Sequence, residues 1–351
     1  MRKIQKYRCQ HCRHIFYQTS GLTRYRFSTS FIHEAVKRLV ASRNSLDIAS
    51  HDLKVSRPTL ISWLRRFTSN TKTPLQADRE LKPQYGGTVG IDGDWIKVAG
   101  ENRCILVGID KKTSVIANFE YAGSENSLDY KILFLTLIKM NYPFRGIVSD
   151  RNGNIRRWAQ RLLPKVPHQF CCAHFMREVD SKIKYGYILR RIRGSQTKES
   201  SQYFKTFYKP ETDFRKKIYN ILYAKTEKMA RKRLAILVRQ RAKFPDKYHS
   251  FIVSLVRDAD YFFRHYKVRG LPRSNNFTEL VINQIENRNK LIEGFQSDET
   301  AENFVRLFIH YLNQKKFTFA KKKYNYKNGK SPLQLAKCNL KTTDWLKFSQ
   351  K

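Results

Sequence analysis

The stretch from Thr88 to Cys172 constrains the fold of this chain more than any other, because its hydrophobic period switches back and forth in a fixed order. Three β-rich runs, Thr88 to Val98, Cys104 to Ile109 and Ser114 to Tyr121, are separated by short polar turns and read as an antiparallel meander. A helical run from Ser127 to Met140 leads to a fourth strand, Gly146 to Asp150, and a second helix, Ile155 to Leu163, leads to a fifth, His168 to Cys172. Two of these apolar strands carry acids: Asp92 and Asp94 in Gly90-Ile91-Asp92-Gly93-Asp94, and Asp150 after Gly146-Ile147-Val148-Ser149. A carboxylate there is costly unless a metal or a hydrogen-bond network offsets its charge. A third acid stands far downstream in Ser274-Asn275-Asn276-Phe277-Thr278-Glu279. Three such side chains, brought together, suit Mg²⁺ acting on a phosphodiester, since hard cations take carboxylates and complete their shell with water and phosphate.

Charge indicates the partner. The 69 Lys and Arg against 29 Asp and Glu leave a net charge of +40, while hydrophobic content stays at 41%, so the chain is expected to be folded and basic. An excess this large attracts a polyanion, and nucleic acid is the expected one. An anionic membrane surface fits less well: no run reaches the ~18 apolar residues that a span needs, and no signal-peptide core follows Met1-Arg2-Lys3. Six scattered cysteines make no disulfide framework, which points to a reducing cytoplasm, in association with the nucleoid. At 351 residues the chain has room for two or three domains.

Upstream, Lys6 to Phe16 holds Cys9-Gln10-His11-Cys12 between basic and aromatic residues, like one knuckle of a zinc ribbon. A tetrahedral Zn²⁺ site needs four ligands, so Cys9 and Cys12 would need His11, His14, a partner chain or residues preceding Met1 to complete it; otherwise they are two free thiols. From Phe31 the period becomes helical, and Ser45 to Phe67 has the cadence of a helix-turn-helix. In it Ser56 would cap the second helix, Pro58 would sit in its first turn and Leu60, Ile61 and Leu64 would face the core. Arg57, Thr59, Ser62, Arg65 and Arg66 would then be free for a DNA major groove. A purely structural bundle is the plainer alternative.

The order β-β-β-α-β-α-β is that of an RNase H-like fold, in which the first and fourth strands lie side by side and would bring Asp92 and Asp150 together across 58 positions. Here the chain resembles prokaryotic insertion-sequence DDE transposases of the Mutator-like kind. The resemblance is carried by Asp92-Gly93-Asp94-Trp95-Ile96-Lys97-Val98, by Ser149-Asp150 with Asn152-Gly153, by Cys171-Cys172-Ala173-His174, and by Asn275-Asn276-Phe277-Thr278-Glu279 with Gly294-Phe295-Gln296-Ser297. It spans residues 88 to 315, and its force lies in order and spacing. It implies catalytic acids Asp92, Asp150 and Glu279 holding two Mg²⁺ (or Mn²⁺) ions ~3.5–4 Å apart, with Cys171, His174 and Asn276 as accessory residues. It also implies double-stranded transposon ends and target DNA as substrates, and a homodimer or larger assembly to hold two ends.

Alternatives stand beside each assignment. Asp92 and Asp94 share one strand face, and Glu279 and Glu286 one helix face, so that only the family register selects Asp92 and Glu279. Asp150 could instead cap the next helix, although its place among acids in the right order favours a ligand. A nuclease that cuts without joining, or a repressor that binds without cutting, would fit the same charge. The expected organisation is a partial zinc-ribbon-like arm (1–25), a helix-turn-helix domain (26–70), a linker (71–87), the first part of the core (88–175), a helical insertion (176–268), the Glu helix and its successor (269–315) and a basic tail (316–351). The insertion fills part of the 129 positions between Asp150 and Glu279. Its aromatics, such as Tyr203, Phe207 and Tyr261, are expected mostly in a core. The tail, rich in lysine around Lys321-Lys322-Lys323, is expected to face phosphate or to be disordered.

Overall fold

The computed structural model describes residues 6–8, 10, 11, 13, 15–17, 27–42, 44–292, 295–318, 320, 322–340, 342 and 344–351. Cys9 and Cys12, the expected zinc ligands, lie outside them; flanking them, β1 (Lys6–Arg8) and β2 (Ile15–Tyr17) pair antiparallel with Tyr7 opposite Phe16.

Three helices follow: α1 (Thr29–Ala41), α2 (Leu46–Leu53) and α3 (Arg57–Ser69). Ser28 and Ser45 start the first two by accepting the Phe31 and Ile48 N–H groups, and Lys54 ends α2 in the left-handed conformation. Their shared core is Ile32, Val36, Leu60, Trp63 and Phe67. The inward stripe of α3 thus runs Leu60, Trp63, Phe67, and the expected Ile61 and Leu64 are only half-buried. Ser56 occupies the cap position, but its hydroxyl meets Thr59 Oγ1 at 2.8 Å and caps no backbone group. Arg57, Ser62, Arg65 and Arg66 are exposed, Thr59 is half-buried, and Arg57 is ion-paired to Asp47.

The expected linker contains a helix, α4 (Pro74–Leu81), started by a reciprocal Thr73–Gln76 capping box with proline in the first turn. Thr73 and Pro74 are helix-start residues that a reading for loops takes as breakers.

The sheet is β3 (Thr88–Val98), β4 (Glu101–Asp110), β5 (Ile116–Ala122), β6 (Gly146–Ser149) and β7 (His168–Phe170), in the order β5-β4-β3-β6-β7. The first three strands are antiparallel, and β6 and β7 are parallel to β3. Helices α5 (Ser127–Lys139) and α6 (Gly153–Leu162) connect β5, β6 and β7. Strand alternation divides the apolar residues. Val89, Ile91 and Leu106 join Tyr130, Leu133, Phe134 and Leu137 of α5 on one face, while Ile96, Val98, Ile105 and Val107 join another core on the opposite face. A mixed sheet flanked by helices in this order is consistent with an RNase H-like fold.

Beyond β7 come α7 (Cys172–Lys182), α8 (Tyr185–Arg193), α9 (Lys198–Phe207), α10 (Lys209–Leu222), α11 (Glu227–Arg239), α12 (His249–Arg257), α13 (Ala259–Phe262) and α14 (Arg264–Lys267). They enclose a separate core that includes Phe175, Phe214, Ile218, Leu237, Ile252 and Phe262. Tyr261 stacks on Phe170 at 4.5 Å, but Tyr203 and Phe207, expected inside, are 61% and 60% exposed. Next, α15 (Asn276–Lys290) and α16 (Asp298–Gln314) cover the second sheet face through Ile282, Ile285, Phe304 and Phe308. Arg288 of α15 reaches across to the Leu39 and Asn44 carbonyls and ties this layer to the N-terminal helices.

The C-terminal segment is no loose extension in its described residues. It forms α17 (Pro332–Leu335) and α18 (Trp345–Ser349), buries Leu346 fully, pairs Asp344 with Lys37 at 2.8 Å and bridges Gln350 to Thr71. Its apolar positions lie far apart between lysines, which hides them from a reading by period.

Candidate active site

Gly90 determines where the third acid can stand. A Cβ on it would lie 2.0 Å from Thr278 Oγ1 and 2.4 Å from Asn275 Oδ1, so that only glycine lets the start of α15 rest directly on β3. There Asn275 is fully buried. Its side-chain amide donates to the Ile91 carbonyl at 3.1 Å and to Asp92 Oδ2 at 3.4 Å, and its Oδ1 accepts from Thr278 Oγ1 at 2.7 Å. One turn on, Glu279 projects toward the same end of the sheet. The asparagine set against Asp92 is thus Asn275, while the side chain of Asn276, the expected accessory residue, is exposed. Successive residues at a helix start point about 100° apart, and the neighbour is turned away.

Parallel register places Ile91 opposite Ser149, which sets Asp92 beside Asp150 at the end of β6. Asp150 folds back onto its own loop, accepting the Asn152 N–H at 3.1 Å, and Asn152, not Asp150, caps α6. Arg151 behind it reaches Glu178 and Asp258 and lies over the Phe175 ring at 4.7 Å, which locks the loop to the insertion. A fourth carboxylate, missed in the sequence, completes the group. Glu125, in the turn before α5, accepts from the Asn152 side chain at 2.7 Å and from the Tyr130 hydroxyl, and it acts electrostatically on both aspartates. In Gly123-Ser124-Glu125-Asn126 nothing but a polar turn is visible.

Burial and like charge dominate the electrostatics of the two aspartates. Burial, and then the neighbouring Asp150, Glu279 and Glu125 carboxylates, push Asp92 up to about 7 against the pull of the Gly93 N–H. Burial and Glu125 push Asp150 up to about 6, opposed by the Asn152 N–H. A nearby cation would reverse both shifts.

Glu279 also faces a second group. The ligand atoms of Cys171, His174 and Glu279 all lie within 4.8 Å of one another, with His174 Nε2 3.5 Å from Glu279 Oε1. This cluster could coordinate a divalent ion, Zn²⁺ among them, and it is not the set of three acids that the family resemblance implies. Burial and the adjacent Arg177 lower the His174 pKa and favour the neutral, ligand-competent imidazole. Burial raises that of Cys171, whose sulfur meets the Asn275 N–H at 3.1 Å. Arg177 is ion-paired to Glu279.

The rival acids form a separate pair. Asp94 is pushed up to about 6 by burial and then by Glu286, which itself pairs with Lys290 at 2.7 Å. Neither acts on Asp92 or Asp150, whereas Asp150 and Glu279 both act on Asp92.

No protein-family model matches the chain, and no curated protein matches it. Among solved structures it is weakly similar to the Drosophila P element transposase strand transfer complex, with a TM-score of 0.45 and 11% identity over 82% of this chain and 92% of that one.

Proposed function

We propose that this protein cuts DNA phosphodiester bonds with the help of divalent metal, as an RNase H-like nuclease. The observation that carries the reading is that Asp92 feels the Asp150, Glu279 and Glu125 carboxylates together, from four separate elements, beside the group in which Cys171 and His174 face Glu279. Mg²⁺ held there would supply Lewis acidity and lower the pKa of a bound water. The chain's own residues do the rest. Asp92 and Asp150 would bind, Asn275 orients Asp92, and Arg151 fixes the Asp150 loop through Glu178, Asp258 and Phe175. Arg177, ion-paired to Glu279 and half exposed, would be the cation placed to meet a phosphate.

The finer reading is a DDE transposase that also joins strands. It is supported by the acids' order in the chain and by the helical insertion between β7 and α15. On that reading α3 would offer Arg57, Ser62, Arg65 and Arg66 to duplex DNA, and two copies would hold two ends. End-labelled duplex with Mg²⁺ separates the readings. Shortened products alone support the nuclease, and joined products support the transposase. Binding without either, by a protein that retains all four carboxylates, refutes both and leaves a repressor.

A further inference from the structure

We infer that the helical hairpin α8–α9 is a docking surface for unpaired DNA, whose bases stack on exposed aromatic rings set among cations. The inference rests on the nucleic-acid reading above and names a strand form and a place for it.

Helix α9 packs on α8 but buries none of its own ten residues, yet Tyr203, Phe204 and Phe207 lie on it. Tyr203 and Phe207 are 61% and 60% exposed, and Tyr187 of α8 is 43% exposed. Large rings gathered on one surface mark a place where something else is meant to lie. They are also held in position beforehand. Tyr203 stacks on Phe207 at 6.0 Å and 22°, and Phe204 on Tyr208 at 6.3 Å and 18°. Arg191 lies 5.6 Å from the Tyr187 ring and 5.4 Å from the Phe204 ring, and its Nε donates to the Tyr187 hydroxyl at 3.0 Å. Rings fixed in advance lose little entropy on binding.

Charge selects the occupant. From Lys184 to Lys209 the chain carries seven lysines and arginines against Glu199 alone. A second copy of this surface would be repelled, and a strand of phosphates attracted. Rings discriminate further. A duplex hides the faces of its bases, so that rings add nothing to its binding, whereas an unpaired strand offers a π-face at every nucleotide. The position suits a strand leaving the acid cluster. His174 lies in the first turn of α7, and the eleven residues of that helix, about 16 Å long, lead straight to α8.

The test uses the full-length protein without metal, a fluorescent oligothymidine and a blunt duplex with the same number of phosphates. Fluorescence anisotropy of the double variant Tyr203→Ala/Phe207→Ala is expected to show at least tenfold weaker binding of the oligothymidine and duplex binding within twofold of the original. Phe207→Trp is expected to keep the affinity and to lose indole emission when the oligothymidine binds, a readout of stacking that unfolding would not imitate. An equal fall on both DNAs, no fall on either, or loss of a dimer on size exclusion with oligothymidine affinity unchanged would overturn the inference. Cleavage of duplex in Mg²⁺ is followed in parallel. Cleavage without ring-dependent binding refutes the hairpin inference alone, and ring-dependent binding without cleavage refutes only the catalytic reading.

Discussion

Replacing Asp92 by asparagine should make the metal-free protein more stable while removing its response to Mg²⁺. The folded-state pKa of Asp92, about 7, stands above the ordinary 3.8, because burial and the Asp150, Glu279 and Glu125 carboxylates disfavour its charge. For an acid shifted upward the folding penalty is absent below pH 3.8, grows through the window from 3.8 to about 7, and is complete above it. About three pH units amount to about 4 kcal/mol at neutral pH. Asparagine keeps an acceptor for the Gly93 N–H but opposes its amide to that of Asn275, which returns about 1 kcal/mol. The net gain of about 3 kcal/mol, set against an unfolding entropy of about 0.7 kcal/mol/K for a chain this long, raises the melting temperature by about 4 °C. Differential scanning fluorimetry in EDTA at pH 7.5 measures this, and the gain should vanish near pH 4. Titration with Mg²⁺ should then raise the original protein by a similar amount at a hundred times its Kd and leave Asp92→Asn unmoved. If the variant melts at or below the original in EDTA, or gains as much from Mg²⁺, the four carboxylates do not form one cation site.

Glu125→Gln should weaken Mg²⁺ binding about tenfold or more by isothermal titration, and unchanged affinity would remove Glu125 from the site. Gly90→Ala must push α15 off β3 by the length of its clash with Thr278 and Asn275; a loss of about 2–3 kcal/mol in urea unfolding is expected, with the Mg²⁺ response lost as well. Leu346→Ala should cost about 2–4 kcal/mol by the same measurement, because the C-terminal helix fills the core beneath α16, and a neutral result would mean that this segment is dispensable. Burial holds His310 neutral, at about 4, with Nε2 2.8 Å from the Lys72 carbonyl. Its contribution is complete above pH 6.5 and is lost as pH falls toward 4, by up to about 3 kcal/mol. His310→Gln should flatten melting temperature against pH across that window.

Much of this architecture is legible in the amino-acid order alone. The alternation in Thr88 to Val98 marks a strand whose two faces meet different cores, and the observed β3 has those bounds. The acids stand out because their neighbours, Ile91 and Val148, are fully buried apolar residues. Periodicity reports which side chains share a face, and stops there. It leaves Asp92 level with Asp94 and Glu279 level with Glu286, and only the seating of α15 on Gly90, with the parallel register of β3 and β6, links Asp92 to both Asp150 and Glu279 and separates Asp94 with Glu286. The contact of Asn275 with Asp92, and any part for Glu125, are not legible for the same reason, since a buried cap and a turn acid differ from ordinary polar residues only in what lies opposite them. Helix α9 is the converse case: its aromatics repeat as a core helix would, yet none of its residues is buried. The order of residues determines which face is apolar or charged; what that face meets depends on contacts between segments far apart in the chain, and these exist only once the chain has folded.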